Sequence, residues 1–482
     1  MRHVSPTLTD PVARGLSEVV GGPRGRHGLP HRWWTPVRVL MALVTGVFVL
    51  SIVHRVPCMQ TDWSGDAARY AKMCYSDVPY LYTGRGLAEG LWPYSDSFGR
   101  YEVMEYPVGI TYLAWFAAKL TLLIPSGPSL SVRAHTDAGG IWGLPGMAGI
   151  SGEVNTYFLL TALLLFLFLL ASTWLLAGTH RGRPWDALPF VLSPCLLLTG
   201  LINWDLMAVA LVAGALWAWS RDRPLLTGVL IGLGAATKLY PLFLLGAVLV
   251  VAWRRRRLRQ FALATIGAVL AWTLANLPAW VTGWDQWKVF WTFNSERGAD
   301  LGSLWLVLSH AGVTLSPSGI NAWSWVLFGA TCLAIAVLGL VAPRTPRLAQ
   351  LGFLIVAGFL LVNKVYSPQY VLWLLPLAVL ARPRWRDLLI WQAGELFYFG
   401  AVWLYLGGWL EGSTGGTAPL YDVAIVVRVV AELYLVAIVV RDLLRPQSDL
   451  VEGDPDLGDL DTVEVGRGEA DPDRDLVADL GH

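Results

Sequence analysis

The stretch from Cys58 to Pro107, CMQTDWSGDAARYAKMCYSDVPYLYTGRGLAEGLWPYSDSFGRYEVMEYP, sets Asp62, Asp66, Asp77, Asp96, Glu102 and Glu105 among tyrosines and tryptophans. A polar loop of this length after an apolar segment is a functional loop rather than a connector. Carboxylates can take protons, and aromatic faces can hold sugar rings. Asp62 and Asp96 read as solvated or capping aspartates. Asp66, followed by Tyr70, and Asp77, followed by Tyr80 and Tyr82, join a carboxylate to an aromatic face, so either could serve as a general base. Asp77 also leads into helical spacing at Leu81, Gly84, Leu87 and Ala88, closed by Gly90 and Pro93. Glu105 orients a substrate hydroxyl or caps the helix beginning near Pro107.

Four further polar stretches interrupt apolar sequence: Asn203 to Asp205 (NWD), Thr237 to Pro241 (TKLYP), Asn363 to Tyr370 (NKVYSPQY) and the 293–305 segment with Arg297 and Asp300. Lys238 and Lys364 are cations at the ends of short apolar helices. An ionisable group there is costly and implies an anionic partner, unless the lysine merely snorkels to headgroups. Each is followed by a tyrosine and a proline, as KLYP and KVYSP, and a helix break there would hold the ammonium at a cavity floor. The two lysines and Arg297 together would clamp a phosphate, with Asp205, Tyr240, Asp300 and Tyr366 as neighbouring substrate contacts. Cys58 and Cys74 are expected to form a disulfide in an oxidising compartment, while Cys195 and Cys332 fall in apolar runs and pack. The chain has no CxxC, HExxH or histidine cluster, so neither a metal nor another cofactor is expected.

These residues sit in an oily chain. Of 482 residues, 55% are hydrophobic and 15% charged, too little polar surface for a soluble globule of this size. The formal net charge of +1 conceals an asymmetry: residues 447–482 sum to −10, leaving +11 on the remainder. That acidic end, from 446 on, is expected to be a disordered cytoplasmic tail. The basic residues fall in short clusters rather than one stripe interleaved with aromatics, which excludes nucleic-acid binding. No cleavable signal peptide is expected in residues 1–35; the run from Pro36 to Val53 should stay as the first anchor.

Runs of about 20 apolar residues suffice to cross a bilayer. They occur near 36–53, 154–177, 260–281, 321–342, 386–406 and 421–440, with shorter paired runs at 187–202/205–219, 224–237/239–252 and 348–363/370–381 that suggest hairpins. Arginine-bearing connections lie at 180–183, 221–223, 254–259, 344–347, 382–386 and 441–445, and the N-terminal segment carries Arg14, Arg24, Arg26 and Arg32. If all face the cytoplasm, about twelve spans follow, with both termini inside and residues 54–153, 282–320 and 407–420 outside. This requires the 109–124 run to be an interfacial helix on the outer leaflet. The expectation is an all-α polytopic plasma-membrane protein whose multi-span domain covers 36–445.

With the acidic residue after the first span, the run through Tyr82, Gly84, Leu87, Gly90, Pro93 and Tyr94, the Tyr106–Pro107 pair and KLYP at 238–241, the chain resembles the polyprenyl-phosphate-sugar-dependent glycosyltransferases of the GT-C fold. It is most similar to glycosyltransferase family 87, an actinobacterial cell-envelope mannosyltransferase group, and the likeness spans about residues 36–440. KLYP is also similar to the KIYP of GPI mannosyltransferases. The resemblance implies a membrane hexosyltransferase that moves a sugar, mannose above all, from a polyprenyl-phosphate donor to an envelope lipid or glycan at the extracytoplasmic face. It places the base at Asp77 or Asp66. From another class, a lipid or glycan flippase would show internal repeats and charges deep in long spans, which this sequence lacks; a non-catalytic envelope scaffold would not depend on the carboxylates.

Overall fold

The computed structural model describes residues 10–21, 33–63, 66–95, 101, 103–124, 127–135, 149–180, 182–410 and 418–451. All regular elements among them are helices. Five are long and apolar enough to cross a membrane: Pro36–Met59, Ile150–Thr179, Leu258–Thr282, Pro317–Val341 and Pro419–Leu444. Along them Val269, Leu274, Val281, Leu333 and Val341 are more than half exposed, which only a lipid surround accommodates in such number. The sixth expected span forms a helix at Trp385–Leu406, but Arg386, Asp387, Gln392 and Glu395 keep it out of that apolar class. Among the described residues, the structure therefore supports a multi-span helical membrane protein without fixing the number of crossings at twelve.

The shorter paired runs fold as broken helices. Asp205–Ser220 follows the short pieces Leu188–Val191 and Pro194–Thr199; Pro224–Ala235 is followed by Leu244–Arg254, and Leu348–Val362 by Val371–Ala381. The breaks fall at the polar tips, where Pro241 and Pro368 open single 3-10 turns. Proline disfavours helix at the preceding residue yet suits the first turn of the next helix, so each tip is a stop and a restart. At the Lys238 tip the freed backbone groups are taken up locally: the Thr237 and Lys238 N–H groups donate to the Gly234 carbonyl at 2.9 and 2.8 Å.

Val108–Leu122 has fifteen residues, about 22 Å of helix against a hydrocarbon core of about 30 Å. Rather than lying free at an interface it packs on two spans: Tyr112 donates to the Ala275 carbonyl at 3.1 Å, and Tyr157 donates to the Ala114 carbonyl at 3.3 Å. Its first turn also meets the Lys238 tip, with the Gly109 N–H donating to Ala236 O at 2.7 Å. A Cβ at Gly109 would stand 2.6 Å from Thr237 Oγ1, so only glycine allows that approach.

The opposite helix ends gather the arginines. Arg382 bonds Asp387 and Asp442 at 2.9 Å each, and Arg183 bonds Asp186 at 2.9 Å. Residues 446–451 join this end instead of leaving it: Asp449, 3% exposed, pairs with Arg347 at 2.8 Å and accepts from Gln350 at 2.8 Å. The tail expected from 446 thus begins as a packed segment; the disorder expected beyond it falls on 452–482, outside the described residues.

Candidate active site

The polar tips converge on one cavity of about 760 Å³. Asp77, Glu105, Lys238, Tyr240, Arg297 and Lys364, all singled out from sequence, line it. Asp77 is the first residue of the helix Asp77–Gly84, capped by Ser76, whose hydroxyl accepts from the Val78 N–H at 3.3 Å. The Asp77 N–H donates to Ile202 O at 2.7 Å, and the Ser76 hydroxyl donates to the same carbonyl at 3.1 Å, which ties the loop to the NWD tip. Cys58 and Cys74 are joined by a disulfide, Cα to Cα 5.8 Å, which anchors the segment leading into Asp77 to the end of the first long helix.

The Asp77 carboxylate accepts from the Tyr106 hydroxyl at 3.0 Å and is also hydrogen-bonded by Tyr75. Burial raises its pKa above the ordinary aspartate value, and the two tyrosine hydroxyls and the charge of Lys238 only partly offset that. Tyr75 belongs to an aromatic wall, 5.3 Å from Tyr80 and from Trp403, centroid to centroid, with Tyr70 6.3 Å away. The Tyr106–Pro107 pair is a motif of the sequence, but its contact with Asp77 is not legible there, because the two residues meet only through the fold. Asp66 opens the helix Asp66–Ala71, but its side chain lies outside the described residues, as do Asp96 and Glu102.

The three expected cations differ in their partners. Lys238 is 3.2 Å from Asp205, lies 4.8 Å from the Tyr106 ring centroid, and shares Asp205 with the Trp373 indole N–H at 3.1 Å. Arg297 pairs with Asp300 at 2.5 Å. Lys364, 8% exposed, meets neutral oxygens only, donating to the Asn294 carbonyl and to Asn321 Oδ1 at 2.5 Å. Burial and the nearby Arg297 charge lower its pKa. Among the described residues, the cavity therefore holds two cations already neutralised and one with no carboxylate partner. Asn294 and Asn321 lie 70 and 43 residues from Lys364 in sequence, and nothing local to either marked them.

Four expected contacts lie elsewhere. Asp205 and Asp300 stand behind the lining as the counter-ions just described. Tyr82 is fully buried, stacked on Tyr157 at 4.2 Å and bonded to Glu153 at 2.5 Å; Arg133 bonds the same Glu153 at 2.6 Å. Tyr366 is also fully buried, with its hydroxyl 2.9 Å from both oxygens of Glu395. Glu105 lines the cavity but is held at 3.1 Å by Arg85, while Tyr240 stacks on Trp373 at 4.6 Å.

In this helical membrane body the loop helix brings a buried carboxylate, and the breaks between helices bring cations, to one cleft. Residues 150–363 match the model of glycosyltransferase family 87. The match indicates a glycosyltransferase and bears out the resemblance read from the sequence, in an all-helical membrane protein of GT-C-like build. No curated protein matches the chain. The matched segment takes in Lys238, Tyr240, Arg297 and the Asn363 start of the last tip, whereas Asp77 and Glu105 precede it.

Proposed function

We propose that the protein transfers a sugar, mannose in the first instance, from a polyprenyl-phosphate sugar to an envelope lipid or glycan at the extracytoplasmic face of the plasma membrane, with both termini cytoplasmic. The observation that carries this reading is that, among the described residues, one cavity holds a buried carboxylate with no cation in ion-pair contact, Asp77, and a buried cation with no carboxylate, Lys364. Asp77 takes the proton of the acceptor hydroxyl as its oxygen bonds to the anomeric carbon; the bond from that carbon to the phosphate oxygen breaks, and the phosphate leaves with the electron pair. The developing negative charge is met by Lys364, with Arg297 and Lys238 behind it, so no metal is called for. One displacement with one base inverts the anomeric centre. The raised Asp77 pKa suits a base, since a carboxylate that binds its proton more tightly accepts one more readily near neutral pH. The aromatic wall of Tyr70, Tyr75 and Trp403 offers stacking faces for a sugar, and Phe328, Phe359 and Trp325 give the same cavity an apolar side for a lipid chain.

The test is a transfer assay on membranes with a panel of labelled polyprenyl-phosphate sugars, with and without EDTA. Mannose transfer insensitive to EDTA is expected; transfer from no member of the panel would overturn the reading. Sidedness is tested apart from activity. An impermeant thiol reagent should label Asp137→Cys or Thr414→Cys in intact cells and spare Arg256→Cys; labelling of Arg256→Cys alone would invert the topology.

A further inference from the structure

The two segments that carry Arg297 and Lys364 are tied to each other and to a buried charge cluster that the reaction above does not use. The Asp300 N–H donates to Lys364 O at 2.9 Å, and the Tyr366 N–H donates to Leu301 O at 2.6 Å. Behind them, on Trp385–Leu406 and Pro419–Leu444, lie Glu395, Arg428 and Glu432, exposed by 3%, 1% and 0%. Arg428 bonds Glu432 at 2.8 Å, donates to the Gly302 carbonyl at 3.3 Å and lies 3.7 Å over the centroid of the Tyr366 ring. Glu395 accepts the Tyr366 hydroxyl at 2.9 Å. Gly302 adopts φ +68°, a conformation that side chains resist, and its N–H donates to the Tyr421 hydroxyl at 3.0 Å. Both helices lie outside the segment that matches the family model.

Ionic groups this deep contribute little net stability, since apolar replacements of similar volume are often as stable or more so. What they impose is geometry. Arg428 reaches both segments at once, one N–H on the Gly302 carbonyl and the guanidinium face on Tyr366. A lysine could supply the charge but not a planar face together with directed N–H groups.

We propose that Arg428 is a positioning residue: by gripping Gly302 and Tyr366 it sets the separation and aim of Arg297 and Lys364 at the cavity. Lys364 would then owe its place between Asn294 and Asn321 to a residue that touches neither the cavity nor any substrate. The kinetic consequence rests on the transferase reading above; the structural one does not.

The test is amine modification by citraconic anhydride, followed peptide by peptide by mass spectrometry on the full-length protein in detergent, for wild type, Arg428→Met and Arg428→Lys. Lys364 should react about tenfold faster in both variants as its tip loosens, while Lys238, equally buried at a different tip, keeps its rate. Arg428→Lys decides the case in which the methionine variant unfolds. An unchanged Lys364 rate in it, or Lys238 rising in step, would overturn the proposal, because Arg428 would then be idle or only a general support. With polyprenyl-phosphate mannose as donor, Arg428→Lys should lower kcat/KM for the donor about tenfold and leave the acceptor KM near wild type. Equal damage to both substrates would overturn it. A dead Asp77→Asn beside an unchanged Arg428→Lys would sink this inference and leave the transferase reading standing; transfer that survives Asp77→Asn would sink that reading, and the labelling result would still decide this one.

Discussion

At the arginine-bearing end of the bundle, Arg382 is bonded to Asp387 and Asp442, Arg183 to Asp186 and Arg347 to Asp449, all at 2.8–2.9 Å. At the cavity end, Lys364 meets only a carbonyl and an amide oxygen, and Asp77 only tyrosine hydroxyls. Both ends bury charge, which is costly wherever it is done. At the first the cost is offset inside the protein by opposite charge; at the second it is left partly open. On the proposed reading the donor phosphate and the acceptor hydroxyl complete the match at Lys364 and Asp77, as carboxylates of the fold complete it at Arg382, Arg183 and Arg347. Lys238 and Arg297 stand between the two cases, lining the cavity yet already paired.

The largest effect should come from the carboxylate without a cation. Asp77→Asn keeps the hydrogen bonding but cannot take a proton, so turnover should fall by roughly 10²–10⁴-fold with donor binding intact. At the other end Arg382→Ala removes the buried cation that joins Asp387 to Asp442, leaving Arg386 and Tyr434 on the one and Arg441 and Ser448 on the other. That should cost about 3 kcal/mol of stability, the low end for a broken buried pair, read from unfolding in detergent, with little change in turnover per folded molecule. A loss of turnover without a loss of stability would erase the distinction between the two ends. Next comes Lys364→Ala, which removes a charge-assisted contact and should weaken donor use by about tenfold to a hundredfold. Lys119→Ala, which loses its bond to Gly90 O and its place over the Trp115 ring, should change donor use hardly at all, and equal small effects at both would make Lys364 a snorkelling lysine.

A smaller loss than at Asp77, Arg382 or Lys364 belongs to Asp449. Burial opposes its charge, but Arg347, the Val451 N–H and Gln350 outweigh burial and hold its pKa below the ordinary aspartate value. Its contribution is therefore complete above about pH 4 and is lost as pH falls through the lower folded pKa. Asp449→Asn should cost about 1 kcal/mol and free residues 446–451 to proteolysis; an undiminished melting point would return this segment to the status of a loose tail.

Much of this was legible in the sequence where the signal was local. KLYP and KVYSP announce a cation, an aromatic and a break within five residues, and those tips do meet at one cavity. CYSD announces a cysteine and a helix start, and both are found there. What could not be read is partnership across the fold. Asp205 lies 33 residues from the Lys238 it neutralises, and no spacing rule joins them. Tyr82 follows Asp77 within five residues, yet on the helix they share it turns to Glu153. The charge bias that makes the 109–124 run an interfacial helix does not reveal the tyrosine contacts that hold it against two spans.

The claim that Asp77 removes the acceptor proton is tested most directly by the pH dependence of kcat for wild type and Asp77→Asn. A base with a raised pKa loses activity as pH falls through that pKa, so the wild-type profile should show an acid limb centred above the ordinary aspartate value of about 3.9. The residual activity of Asp77→Asn should lack that limb. A variant that keeps both the wild-type rate and the wild-type limb would contradict the account.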